Sequence, residues 1–222
     1  PEYTLARDGK SPFPSCIIDA YDALEWVKNH GDSLSLDINN IGIMGESAGA
    51  HISMMMAFGN PEIVGLNYEN TDFKYIIDVY GPNDMNALYH GPLMDTINTY
   101  ISDLPTDIQD CINIPNKLFG FDPTQDSTKT KQFADKFSPI LYLSSNIPRI
   151  LIIHGTADQI VNVNQSKNLK RQLDSLSIKH EFHLLDGVNH AFGDATEEQK
   201  SNVQDWIFGF ITKKEKSVSA VH

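Results

Sequence analysis

Ile41-Gly42-Ile43-Met44-Gly45-Glu46-Ser47-Ala48-Gly49-Ala50 is the stretch on which the fold turns. A short apolar run, 41–45, leads into the pentapeptide Gly45-Glu46-Ser47-Ala48-Gly49, and an apolar run with Met54, Met55 and Met56 leads out of it. Chance supplies only ~0.07 copies of G-x-S-x-G in a chain of this length, taking Gly and Ser at about 7% each. The context adds to the pattern: buried strand in, tight turn, helix out. That is the setting of a nucleophile elbow, which lifts a serine above the sheet edge. A very tight turn crowds its neighbours, so glycines are expected beside the serine. The free N–H groups of the outgoing helix would face a developing oxyanion. The plainer alternative is a glycine-rich strand-to-helix turn with no chemistry.

Outward from this point, strands and helices alternate. Residues 15–29 carry Ile17, Tyr21, Leu24 and Val27 at helical spacing, after Pro12 and Pro14. The run 48–58 reads as a helix stopped by Gly59-Asn60-Pro61. Strands are expected over 75–80, 150–154 and 180–185, and helices over 164–176 and 197–212. Strands separated by helices pair in parallel, giving an α/β fold with flanking helices. The stretch 86–137 breaks the alternation. It has no buried-strand run, but Leu93, Ile97, Ile101 and Leu104 recur at helical spacing, with a second patch at Ile108 and Ile112. A loop this long without regular structure is uncommon, so a small helical insertion is expected within a single domain over 1–222. It follows a strand's carboxyl end, where α/β proteins build ligand pockets, so a substrate-covering role competes with padding.

The 222 residues have an ordinary globular composition, with 17 Lys+Arg against 29 Asp+Glu and a net charge of −12. That acidity makes nucleic acid and anionic membrane surfaces poor partners. Cys16 and Cys111 form neither a disulfide framework nor a metal-ligand spacing. No apolar run is long enough to span a membrane. No signal peptide is visible. The chain opens at Pro1-Glu2-Tyr3 without an initiator Met, which leaves an upstream targeting segment open and the cytoplasm as the default location.

A serine hydroxyl needs a base. His190, in Asp186-Gly187-Val188-Asn189-His190-Ala191-Phe192-Gly193, follows a strand and precedes the last helix. It therefore falls at the same sheet end as Ser47. His154 ends a strand and is followed at once by Gly155, which suits packing. His51 lies one turn into the elbow helix and is also read as packing. His180 and His183 sit three apart on a strand, on opposite faces, so they cannot share a metal. The base needs an acid that fixes its tautomer. Asp158, after the strand 150–154, is the candidate, with Asp186 and Asp194 as rivals close to His190 in sequence.

Four segments resemble the α/β-hydrolase superfamily, and within it the hormone-sensitive-lipase-like and feruloyl-esterase-like carboxylesterases. Tyr3-Thr4-Leu5-Ala6 with Pro12-Phe13-Pro14 resembles Y-R-L-A…F-P, followed by a helix with Asp19, Ala20, Leu24 and Trp26. Residues 41–50 resemble I-x-x-x-G-E-S-A-G-G, with Ala50 for the last glycine. Residues 154–163 resemble H-G-x-x-D-x-x-V-P-V, with Asn162 where proline is usual. Residues 187–192 resemble G-x-x-H-x-F. The resemblance implies Ser47 as nucleophile, His190 as base, Asp158 as its acid partner and the Ala48 N–H as an oxyanion donor. It implies a small-molecule ester as substrate, with no cofactor or metal.

One family feature has no counterpart in these residues: the glycine-rich H-G-G segment that completes the oxyanion hole. The expectation is therefore a partial α/β-hydrolase domain that lacks its first strands and begins at the end of the fourth. A sheet of about four strands would remain, with the strand before Ser47 as an open edge exposing Ile41 and Ile43. Hydrolysis of a carboxylic ester through an acyl-enzyme is the expected activity. A prolyl-oligopeptidase-type peptidase shares the fold and the Ser…Asp…His order, although Glu46-Ser47-Ala48 resembles the esterases more. A catalytically incomplete hydrolase serving as a binding module is the third reading. Such proteins usually lose one of the three residues.

Overall fold

The structure is a computed structural model that describes residues 2–7, 10–91, 99 and 114–213. The elements run α1 (Ser15–Leu34), β1 (Ile43–Glu46), α2 (Ala48–Phe58), β2 (Tyr75–Val79), α3 (Met85–Tyr89), α4 (Ile114–Phe119), α5 (Ser127–Lys136), β3 (Arg149–Gly155), α6 (Asn164–Ser175), β4 (His180–Leu185) and α7 (Glu197–Thr212). The four strands form one parallel sheet in the order β1-β2-β3-β4. Gly45 pairs with Asp78, and Asp78 in turn with Ile152, so the carboxyl ends of all strands lie at one edge.

The central strands β2 and β3 are apolar on both faces, and their side chains divide by alternation. Ile77, Val79, Leu151 and Ile153 pack towards α7, around Phe210. Ile76, Ile150 and Ile152 pack on the other face against Met54 and Phe58 of α2 and Leu169 and Leu173 of α6. Burial on both faces is why these strands read as unbroken apolar runs. A third cluster joins α1 and α2, through Ile17, Tyr21, Met55 and Met56, to Phe119 of α4, Ala134 of α5 and Phe137. Within 86–137, then, α4 and α5 pack into the main body. Leu93, Ile97, Ile101, Leu104, Ile108 and Ile112 lie outside the described residues.

At β1 the expectation needs a correction. Lys74 N–H donates to the Ile41 carbonyl, and Ser47 N–H to that of Val79. The odd-numbered residues of β1 thus turn their backbone groups to β2, and Gly42, Met44 and Glu46 turn theirs to the side where no strand pairs among the described residues. Ile41 and Ile43 are half-buried against the α1–α2 cluster, while Met44 is 45% exposed. The open edge shows Met44, not the two isoleucines. Among the described residues no helix is long and apolar enough to cross a membrane.

Candidate active site

Three loops at the carboxyl edge carry the side chains that meet. β1 ends at Glu46, and the chain turns at Ser47 with φ 51° and ψ −120°, a backbone conformation rare for a non-glycine residue. The Ser47 N–H remains in the sheet ladder, on Val79 O at 2.9 Å, while its carbonyl accepts the first helical bond, from His51. The turn is therefore pinned on both sides. Ala48 opens α2, where first-turn N–H groups have no intrahelical acceptor. A Cβ on Gly45 would lie 2.2 Å from the Gly49 backbone, so the chain can turn this tightly only with glycine at 45. Gly49 has nothing within 4 Å of a Cβ among the described residues, so the crowding expected on both sides of the serine acts on one.

The loops after β3 and β4 are laced together. Thr156 N–H donates to Leu185 O and Ala157 N–H to Val188 O, and a Cβ on Gly155 would lie 2.2 Å from that same Val188 carbonyl. Gln159 N–H donates to the Asn189 side chain at 3.0 Å. This lacing brings Asp158 to His190. His190 Nδ1 lies 2.7 Å from Asp158 Oδ2, and His190 Nε2 lies 3.0 Å from Ser47 Oγ. The Asp158 side chain is fully buried and that of His190 is 14% exposed. Ala191 and Phe192 both have positive φ, bending the loop directly after His190. The Tyr80 ring packs edge-on against both His190 and Phe192, with centroids at 4.7 Å. Tyr80 itself has φ 46°, and its hydroxyl donates to Glu46 at 2.6 Å.

Burial by itself would push the Asp158 carboxyl up. Hydrogen bonds from His154, from His190 and from the Val161 and Ile160 N–H groups outweigh it and hold the group below its ordinary value. Asp158 thus carries its charge where an imidazolium would need it. The rival acids lie elsewhere: Asp186 accepts from Thr156 Oγ1, and Asp194 from Asn189 N–H.

The other histidines divide cleanly. His51 is buried, with Nε2 at 2.7 Å from Phe137 O, and burial pushes its pKa down to about 4. His180 lies 3.4 Å from Asp174 of α6, while His183 stacks on Trp206 of α7, so the two occupy opposite sides of β4. His154 is buried, as packing requires, but it also reaches the site. Its Nε2 lies 3.2 Å from Asp158 Oδ2. Tyr80 and His154 are the two neighbours of the site that sequence reasoning missed. The signal available for His154 was its place four residues before Asp158. Nothing local to Tyr80 marked it.

A family profile described as BD-FAE matches residues 1–173, and one described as the dienelactone hydrolase family matches 139–215. Among curated proteins, the probable carboxylic ester hydrolase LipM of Mycobacterium tuberculosis is 27% identical over 206 residues, covering 86% of this chain and 43% of LipM. Esterase LipC of the same organism is 24% identical over 188 residues, covering 81% of this chain and 41% of LipC. The chain therefore spans less than half the length of these relatives. Among solved structures, a truncated carbohydrate esterase from gut microbiota superposes with a TM-score of 0.67 at 23% identity, over 90% of this chain and 70% of that one. At this identity the likeness concerns the fold, and it agrees with the parallel sheet and flanking helices described above. The BD-FAE profile covers most of the 222 residues, including the elbow and Asp158. The chain belongs to the BD-FAE family of α/β-hydrolases.

Proposed function

We propose that the protein is a serine carboxylic ester hydrolase in which Ser47 attacks the ester carbonyl and His190 takes its proton. The observation that carries this reading is the unbroken line of contacts from Ser47 Oγ through His190 to the buried Asp158. His190 can hold the hydroxyl proton on Nε2 only while Nδ1–H is bound to Asp158, whose negative charge stabilises the imidazolium that forms. The tetrahedral oxyanion would accept from the Ala48 N–H at the start of α2. Collapse expels the alcohol, protonated by His190, and leaves Ser47 acylated. Water, deprotonated by His190 in turn, then releases the acid. The esterase names of LipM and LipC support the same class of substrate.

The experiment is turnover of p-nitrophenyl acetate by the purified protein and by Ser47→Ala. Release of p-nitrophenol that disappears in Ser47→Ala is the expected result. Turnover that survives Ser47→Ala, or a protein with none, overturns the assignment. The latter outcome would favour a binding module.

A further inference from the structure

His154 is fully buried in β3, one strand position from the loop that carries Asp158. Its Nε2 faces two groups that can only accept: Val161 O at 2.8 Å and Asp158 Oδ2 at 3.2 Å. That nitrogen must therefore carry a proton. Its Nδ1 lies 2.7 Å from Ser166 Oγ on α6, whose hydroxyl can donate to a neutral ring. Asp158 Oδ1 meanwhile accepts from Ile160 N–H and Val161 N–H, each at 2.8 Å. Val161 thus donates to Asp158 through its N–H and accepts from His154 through its carbonyl. Oδ2, the oxygen that His190 contacts, has its other side turned to His154.

We infer that His154 is a positioning residue for Asp158, sharing one Nε2–H between Oδ2 and the Val161 carbonyl so that the carboxylate stays ionised and presents its remaining lone pair to His190. It acts in two ways. It supplies a donor to a carboxylate with no access to water, and it ties the 158–161 loop to β3. The charged and titratable groups around it are few. Asp158 lies in front, and Asp78 of β2 lies on the same sheet face as His154, its own carboxyl pushed up to about 7 by burial, which outweighs a hydrogen bond from the Gly81 N–H. On the far side of His190 stand Tyr80 and Glu46. The inference rests on the proposed esterase reading, since positioning Asp158 matters only if His190 acts as a base.

The test compares His154→Gln, whose amide nitrogen falls near Nε2 and keeps a donor, with His154→Asn and His154→Leu, which lose it. Asn and Leu are expected to lower kcat by about tenfold or more, the scale of losing a partner that orients a reacting group. KM should stay within about twofold, and Gln should remain within roughly threefold of the parent. The downfield proton resonance of His190 Nδ1–H should persist in Gln and be lost or displaced in Asn and Leu. Equal losses in Gln and Leu, or a parental kcat and resonance in Leu, overturn the inference. Should Asn and Leu fail to fold, nitrogen-15 NMR of the parent protein decides: a proton on His154 Nε2 supports it, and an unprotonated Nε2 overturns it. That spectrum needs no turnover. Failure of the esterase reading itself shows separately, as turnover that survives Ser47→Ala or as a parent protein with none.

Discussion

Gly45 and Gly49 approach so closely across the elbow that a Cβ on Gly45 would sit 2.2 Å from the Gly49 carbonyl carbon. The relationship is one-sided, because Gly49 itself faces open space among the described residues. The motif's two glycines are therefore not equivalent. Gly45→Ala must push the strand and helix apart, at a cost of about 1–3 kcal/mol or more, and displace Ser47 from His190. Gly49→Ala places a better helix former in the first turn of α2 and should gain up to ~1 kcal/mol. Thermal melting of both variants checks this. A Gly45→Ala protein as stable as its parent would show that the elbow is looser than the distances imply.

Asp78 lies under the sheet's carboxyl edge with one oxygen on Gly81 N–H and the other without a partner among the described residues. Burial pushes its carboxyl up from 3.8 to about 7. The folded state then holds a proton that the unfolded state has lost, so stability falls as pH rises between those values and is level above. Asp78→Asn, which cannot ionise, should raise the melting temperature relative to the parent at about pH 8 by more than at about pH 5. A difference independent of pH would contradict this.

His51 should behave in the opposite sense. Burial lowers it from 6.5 to about 4, so the folded protein refuses a proton that the unfolded chain accepts. Its contribution is fully present above 6.5 and is lost as pH falls towards 4. His51→Gln can still donate to Phe137 O and should melt less steeply with acid than the parent does. Parallel melting curves for the two proteins would count against a neutral buried His51.

The three contacting side chains should be unequal in kinetic weight. Ser47→Ala and His190→Ala should each cut turnover by up to ~10⁶-fold, and Asp158→Ala by roughly 10⁴-fold, because in the proposed mechanism the acid only orients and stabilises the base. If Asp158→Ala left the rate unchanged while Asp186→Ala removed it, Asp158 would not be the partner.

Much of the architecture was legible from periodicity. Helices α2 and α7 and strand β4 begin and end where the apolar spacing and stop residues put them. Helix α1 runs past the expected end at 29 to Leu34. Gly31 there does not act as a stop. It is buried, and a Cβ on it would meet Ile38 at 2.3 Å, so glycine there admits the close return of the chain just after the helix. That Ser47, Asp158 and His190 would lie together was legible because each follows a strand, and parallel strands share their carboxyl ends. Tyr80 and His154 could not. Tyr80 reads as the last residue of an apolar strand, and only its positive φ turns the ring onto His190. His154 reads as core, and it is core. Its place four residues before Asp158 hints at a contact, but that contact depends on a loop returning to within 3.2 Å, which the spacing alone does not fix.

The most direct test of the central claim is to trap the acyl-enzyme equivalent and find the atom that carries it. The protein is treated with a fluorophosphonate, digested, and the modified peptide located by mass spectrometry. A single adduct on Ser47, slowed in His190→Ala and absent in Ser47→Ala, is the predicted result. An adduct on another residue, or a Ser47 that reacts as fast without His190 as with it, would contradict the account.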